Sequence, residues 1–458
     1  MLSLLAHAAP ISYRFPLPIW LYVIAGGAAV LLSAPAAAIA LKEGQVRERL
    51  GPDLYPYVRR LGPLVTIVGT LLVIEALVGG LFSTTAQSQE FIENPVTVLV
   101  WVGFWVGLGL AAWLVGNVYE RVAPLNVAAR ALDRVLARRA VQPLSYPDRL
   151  AQWPAVALLL VWSWAELIWA PAREPRTLAL MLLAYIVATL VGCALYGAET
   201  WLGNVELFSV LSRTLSRFSP LELRPFTPEV WAVSNERTAR LRPYAAGLRA
   251  DPALADGGAA FVLTALATVV FDGWSQTDRF GTFQEWFWRR WSFLAHHVSI
   301  LQTLSMLTVV VLFVGAYLLV TRTHARRLAV TLIPIAAVYF AAHYFSYLVI
   351  AGQATLAVVV DPFGHSWNPF GWGEYPLNTS VVPPGVVWWL QILLIVGGSC
   401  RRGAGRTPAG GPCLDTSACA ARAGSTGRAN GRLHGRRALG AGPAAQSVND
   451  HGVTVTGT

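Results

Sequence analysis

The chain alternates long apolar runs with short polar stretches that carry most of its arginines. Nine runs come close to the ~20 residues that cross ~30 Å of hydrocarbon as an α-helix. They cover roughly residues 17–41, 61–82, 95–118, 151–170, 177–197, 257–273, 294–320, 328–352 and 382–399. The pattern predicts an all-α fold: a polytopic transmembrane helix bundle over residues 1–399 and a tail over 400–458. Two connecting stretches are amphipathic instead. In 125–139, Leu125, Ala128, Leu132, Val135 and Leu136 recur at helical spacing, with Arg130, Arg134 and Arg138 on another face. In 205–218, Val205, Phe208, Leu211, Leu215 and Phe218 do the same opposite Arg213 and Arg217. Both read as helices lying on the inner leaflet, where basic faces meet anionic lipid, or packed against the bundle.

Arginine placement adds an orientation. Loops 42–60, 119–150, 198–256 and 321–327 are richer in Arg than the alternate loops 83–94, 171–176, 274–293 and 353–381. The positive-inside rule then puts the N-terminus outside and residue 400 in the cytoplasm of a multi-pass cell-membrane protein. A short match, Trp113-Leu-Val-Gly-Asn117-Val118 against Trp201-Leu-Gly-Asn204-Val205, precedes each amphipathic stretch and suggests a duplicated hairpin.

Composition agrees with this class. Of 458 residues, 55% are hydrophobic and 13% charged, with 18 Trp, and the mean hydropathy is +0.50. A soluble domain has about 25% charged residues. The formal charge is +10, but the tail holds eight Arg against Asp415 and Asp450, which leaves +4 for the other 400 residues. The body is not a nucleic-acid-binding surface; the expected partners are the lipid bilayer, an apolar small molecule or solute, and a partner subunit. Lys42 is the only Lys, a bias that suggests a GC-rich bacterial genome. Cys193, Cys400, Cys413 and Cys419 form neither a disulfide framework nor a paired thiolate motif. No basic segment precedes the first apolar run, so a cleaved signal peptide is not expected. The Gly-, Ala- and Arg-rich tail reads as disordered. A frameshift near residue 400 also accounts for it, since Gly431–Gly440 can be encoded by codons whose neighbouring frame reads as membrane helix. On that reading the last span or spans are missing.

The candidate chemistry lies within the apolar runs. Glu75, Glu166, Asp272 and His343 each fall 14 or 15 residues past the start of their span, or ~21–23 Å from the inner face. His296 and His297 open the seventh span near the same level. Gln276 follows Asp272, and Asp361 and His365 lie in the next outer loop, a candidate lid. Ionisable groups inside a membrane are costly, and those that persist mark functional sites. His343, His296, His297 and Asp272 suit a divalent metal such as zinc, with Glu75, Glu166 or Asp272 as general acid or base. Each has a structural alternative. The glutamates can be hydrogen-bonded helix contacts, His343 a packed imidazole among Tyr339, Phe340, Tyr344 and Phe345, and the His pair an anchor beside Trp286, Trp288 and Trp291. No HExxH or similar local pattern is present.

Several stretches carry a resemblance. They are PLSYPDRLAQWPAVALLLVWSWAELIW at 143–169, EPRTLAL at 174–180, ALYGAETW at 194–201, FDGWSQT at 271–277 and LIPIAAVYFAAHYFSYLVIAGQ at 332–353. With Leu5-Ala6-His7 and Leu17-Pro18-Ile19-Trp20, the chain resembles a bacterial family of polytopic membrane proteins, common in actinobacteria, labelled fenitrothion hydrolase. The resemblance covers nearly all of residues 1–397 and departs after about 400. It implies hydrolysis of an organophosphate triester at the membrane, and no catalytic residue comes with it. The first reading is therefore metal-assisted hydrolysis of an apolar ester in the outer third of the membrane. The alternative is a transporter or permease using the same polar layer. A third is a metal-handling or assembly factor with His7 and His365 as outer ligands.

Overall fold

The computed structural model describes residues 54–85, 93–223, 239–250, 254–294 and 297–370, with isolated positions beyond. The chain divides after Ala404, and every described residue belongs to the first unit. The predicted spans 17–41 and 382–399, Lys42, His7, His296 and the tail lie outside the described residues.

Five helices are long and apolar enough to cross a membrane: α1 (Tyr55–Phe82), α2 (Pro95–Leu114), α6 (Pro175–Tyr196), α9 (Gly258–Ser275) and α11 (Val298–Thr321). Between them lie α3 (Tyr119–Val122), α4 (Pro124–Arg138), α5 (Trp153–Leu167), α7 (Ala198–Asn204), α8 (Leu207–Ser216) and α10 (Asp278–Arg290). The run Val330–Val360, bent by 46° between Phe345 and Tyr347, makes a sixth if the bent pair counts as one span. It contains α12 (Ile333–Ala351) and α13 (Ala354–Val360). A two-stranded antiparallel sheet, Leu221–Leu223 with Ala239–Leu241, is a small exception to the helical architecture.

Local chemistry explains the ends. Asn94 caps α2 by accepting from Val96 N at 3.0 Å, with Pro95 in the first turn, where its missing N–H costs nothing. Its Nδ2 donates to Gly79 O at 3.0 Å, tying the start of α2 to the end of α1. The predicted span 151–170 is a helix of only 15 residues, ~22 Å long and short of the hydrocarbon core. Pro171 stops it, because its ring would clash with the carbonyl of Leu167. The chain instead turns through Ala170–Arg173.

The stretch read as an amphipathic helix at 205–218 is α8, and eight of its ten residues are buried. Of the two alternatives, packing into the bundle is the one found. Phe208 sits among Phe104, Trp162, Tyr185 and Trp105, with ring centroids 4.4, 4.9, 5.5 and 6.2 Å away. By contrast α4 packs on α6, buries Asn126 and Ala129, and leaves Arg134 and Arg138 exposed.

The core is aromatic. Trp101, Trp105, Trp162, Phe208, Phe340 and Tyr344 pack at its centre. Within α2, Val98–Val106 is π-helical, a widened geometry that often accompanies functional sites. One turn further, Gly109 lets α12 approach: a Cβ there would lie 2.4 Å from Phe340 Cε1. Gly109→Leu should therefore force α2 and α12 apart and cost ~1–3 kcal/mol or more. A denaturation series on purified protein would measure it, and unchanged stability would mean that the two helices do not approach this closely.

Candidate functional site

The site begins at a polar floor remote from its chemistry. Gln152 N donates to Asp256 O at 2.9 Å, just before α5 and α9 begin. Gly257, at φ +84°, has no room for a side chain: a Cβ would lie 2.8 Å from the backbone of Gln152 and Trp153. Arg326 joins the same floor, donating from Nε to Leu254 O at 3.0 Å and pairing with Asp256 at 2.7 Å. Three helical runs thus rise side by side from one end. Glu166 lies 13 residues above Trp153, Asp272 14 above Gly258 and His343 13 above Val330. At 1.5 Å per residue, all three arrive ~20 Å up.

They meet there. Asp272 Oδ2 lies 2.5 Å from His343 Nε2, and only 2% of the Asp272 side chain is exposed. Gln276 Nε2 approaches the other oxygen, Oδ1, at 3.5 Å. Glu166 is buried, and its Oε1 accepts from Tyr344 OH at 2.9 Å and from Trp105 Nε1 at 3.1 Å. The same indole N–H lies 3.2 Å from the Tyr344 oxygen. Neighbouring residues of α12 therefore hold both carboxylates, His343 taking Asp272 and Tyr344 taking Glu166. Glu166 and Asp272 face one cavity with Trp105, Ser163, Thr268 and Phe340 on its wall, and about 30 Å³ is open to water. That is room for about two waters.

The remaining candidates are placed elsewhere. Glu75 is half-buried on α1 and does not line the cavity. Depth alone grouped it with the others, but α1 rises from a different floor, where Leu54 N donates to Ala239 O at 2.6 Å. His297 precedes α11 at an exposed position and does not line the cavity. Among the described residues, no group of three or more His, Cys, Asp or Glu is placed to hold a metal ion. Among the described members of the proposed metal set, the structure joins Asp272 to His343. His365 is exposed, in a turn held by Asp361, which accepts from His365 N at 2.9 Å and Trp367 N at 3.2 Å. Thr84 Oγ1 donates to Phe363 O at 3.0 Å, fixing that turn to the end of α1.

Trp105 and Tyr344 were not legible as site residues, since each reads as one more aromatic in an apolar run. A second polar network joins the end of the predicted span 95–118 to the two amphipathic stretches, and the sequence pattern does not show it. Glu120 pairs with Arg213 at 3.1 Å and with Arg130 at 3.9 Å. Asn117 Nδ2 donates to Glu120, and Ser212 Oγ donates to Asn117 Oδ1 at 2.8 Å. Glu206, fully inside, caps α8 by accepting from Ser209 N at 2.6 Å and Phe208 N at 3.2 Å, and it also accepts from Tyr185 OH at 2.5 Å. Burial pushes its carboxyl above the ordinary range, against the hydrogen bonds from Ser209 and Tyr185. Glu206 is not one of the usual capping residue types, so the sequence offers little signal for this cap.

Breaking the buried pair should be costly, because the remaining partner is left in an apolar interior. Asp272→Asn and His343→Ala are each expected to lose ~3–5 kcal/mol. The double variant should lose clearly less than the sum. Strict additivity in a double-mutant cycle would mean that the two groups do not interact. No family model, curated protein or solved structure matches the chain.

Proposed function

We propose that this chain, whose long apolar helices fit an integral membrane protein, couples passage of a solute to protonation of the Asp272–His343–Glu166 layer. The observation that carries this reading is the Asp272–His343 pair, held at 2.5 Å inside the bundle. It lies beside the point where the Val330–Val360 run bends by 46°. Intramembrane Asp, Glu and His are characteristic of proton relays. Transporter sites are typically built where a helix is interrupted near a polar layer. The small cavity suits water and protons, whereas drug-sized ligands occupy ~300–1,000 Å³, so a solute passes only with rearrangement of α12. By the arginine pattern, this layer belongs to the outer third of the membrane.

The test is transient current from proteoliposomes under an imposed pH gradient, with a panel of small weakly polar solutes that includes 4-nitrophenol. At least one solute should evoke a current that Asp272→Asn and Glu166→Gln abolish. Absence of any solute-dependent current in protein that remains folded would overturn the reading.

Hydrolysis, implied by the resemblance to fenitrothion hydrolases, is the second reading. Its support is the carboxylate–imidazole pair, an arrangement that orients a general base, with Glu166 across the cavity as a second proton carrier. Release of nitrophenol from a nitrophenyl phosphotriester would be measured with and without added zinc. Turnover that falls ~10²–10⁴-fold in His343→Ala would favour it. Turnover unchanged by that substitution would remove the pair from the reaction.

A further inference from the structure

Two buried carboxylates in this bundle are each held by an aromatic donor, and the two donors share the same neighbouring rings. Glu166 is held by Trp105 Nε1 and Tyr344 OH. Glu206, 1% exposed, is held by Tyr185 OH. Trp105 and Tyr185, the donors to the two acids, pack against the same pair of rings. Trp105 lies 5.9 Å from Trp162 and 6.2 Å from Phe208. Tyr185 lies 6.5 Å from Trp162 and 5.5 Å from Phe208. Helix α8 links the two acids. Glu206 precedes it, and Leu211, five residues on, lines the Glu166 cavity. Five residues rise ~7.5 Å along the helix, so one short element reaches from the Glu206 cap to the cavity wall.

We infer that Glu206 is a second proton station, separated from Glu166 by a plug of Phe208 and Trp162. The inference rests on the proton-coupled reading above. A helix cap alone explains little of this arrangement. Asn, Asp, Ser and Thr are the usual caps, and capping does not call for an acid that is also bonded to a buried tyrosine. The titratable groups facing Glu206 are Tyr185 and Cys193 on α6 and Tyr119 on α3. Ser209, whose N–H binds Glu206, accepts at Oγ from Asn126 Nδ2 at 3.1 Å, on the basic helix α4.

With the rings closed, Glu166 takes a proton from the cavity. When they part and water enters, the Glu166 O–H breaks to a water, and a Glu206 oxygen gains an O–H from that water. Glu166 ends as a carboxylate and Glu206 as a carboxylic acid; no electrons change hands.

Two measurements on the full chain test this. In phosphatidylcholine–phosphatidylglycerol vesicles loaded with a pH-sensitive dye, Phe208→Ala should raise passive proton conductance at least tenfold over wild type. Adding Glu206→Gln, which keeps an oxygen for the cap, should return it to the wild-type level. A leak that survives Glu206→Gln overturns the station, and no leak in folded Phe208→Ala overturns the plug. Infrared titration needs no disruptive variant. Wild-type protein should show buried carboxyl C=O bands that respond to pH, one of them lost in Glu166→Gln and another in Glu206→Gln. If Glu206→Gln removes no titrating band, Glu206 exchanges no proton and the inference falls. Both readouts are independent of solute-driven current, so a failure here is distinct from a failure of the transport reading.

Discussion

The contact between Asp272 and His343 constrains everything around it. A carboxylate in an apolar interior without a partner costs several kcal/mol, so α9 and α12 must approach closely enough for the imidazole to reach it. That approach brings Phe340 against α2, where only a glycine at 109 leaves space. Because Tyr344 follows His343 in the chain, the same placement carries a hydroxyl to Glu166. One carboxylate–imidazole contact therefore sets the spacing of four helices, α2, α5, α9 and α12.

The shared floor at Gln152, Asp256 and Arg326 gives this arrangement its height. The Arg326–Asp256 pair is half-exposed, and such pairs contribute little to stability. What it contributes is alignment. Three helical runs that start together and carry their polar groups 13 or 14 residues along must present them at one level. Precision at the site is thus set by hydrogen bonds about 20 Å away from it.

Hydropathy and residue counting were enough to locate this level and to bring Asp272, His343 and Glu166 together, since depth along a helix follows from position alone. They did not resolve which way a side chain faces around its helix. Depth alone therefore groups Glu75 and His297 with the others, although neither lines the cavity. The segment 205–218 carried the same ambiguity, because an amphipathic pattern with two arginines fits a membrane surface as well as a bundle interior. Packing decided it, through Phe208 among four aromatic rings. Trp105, Tyr344 and Glu206 act through partners more than twenty residues away in the chain or, for Glu206, through a cap inside the bundle. No local pattern announces such pairings.

The π-helical stretch Val98–Val106 sets the direction in which Trp105 points. In an α-helix each residue advances about 100° around the axis. A segment bonded one residue further along turns more slowly, so the two ends of α2 are out of phase by comparison with a regular helix. Val96, against Gly80 of α1, and Gly109, against Phe340 of α12, lie on either side of that offset. Were the stretch to tighten by a single bond, one end would have to screw about its axis and swing the indole away from Glu166. Helix α2 thus has the build of a shaft with a slack thread in its middle, and the hydrogen bond to the carboxylate sits on that thread.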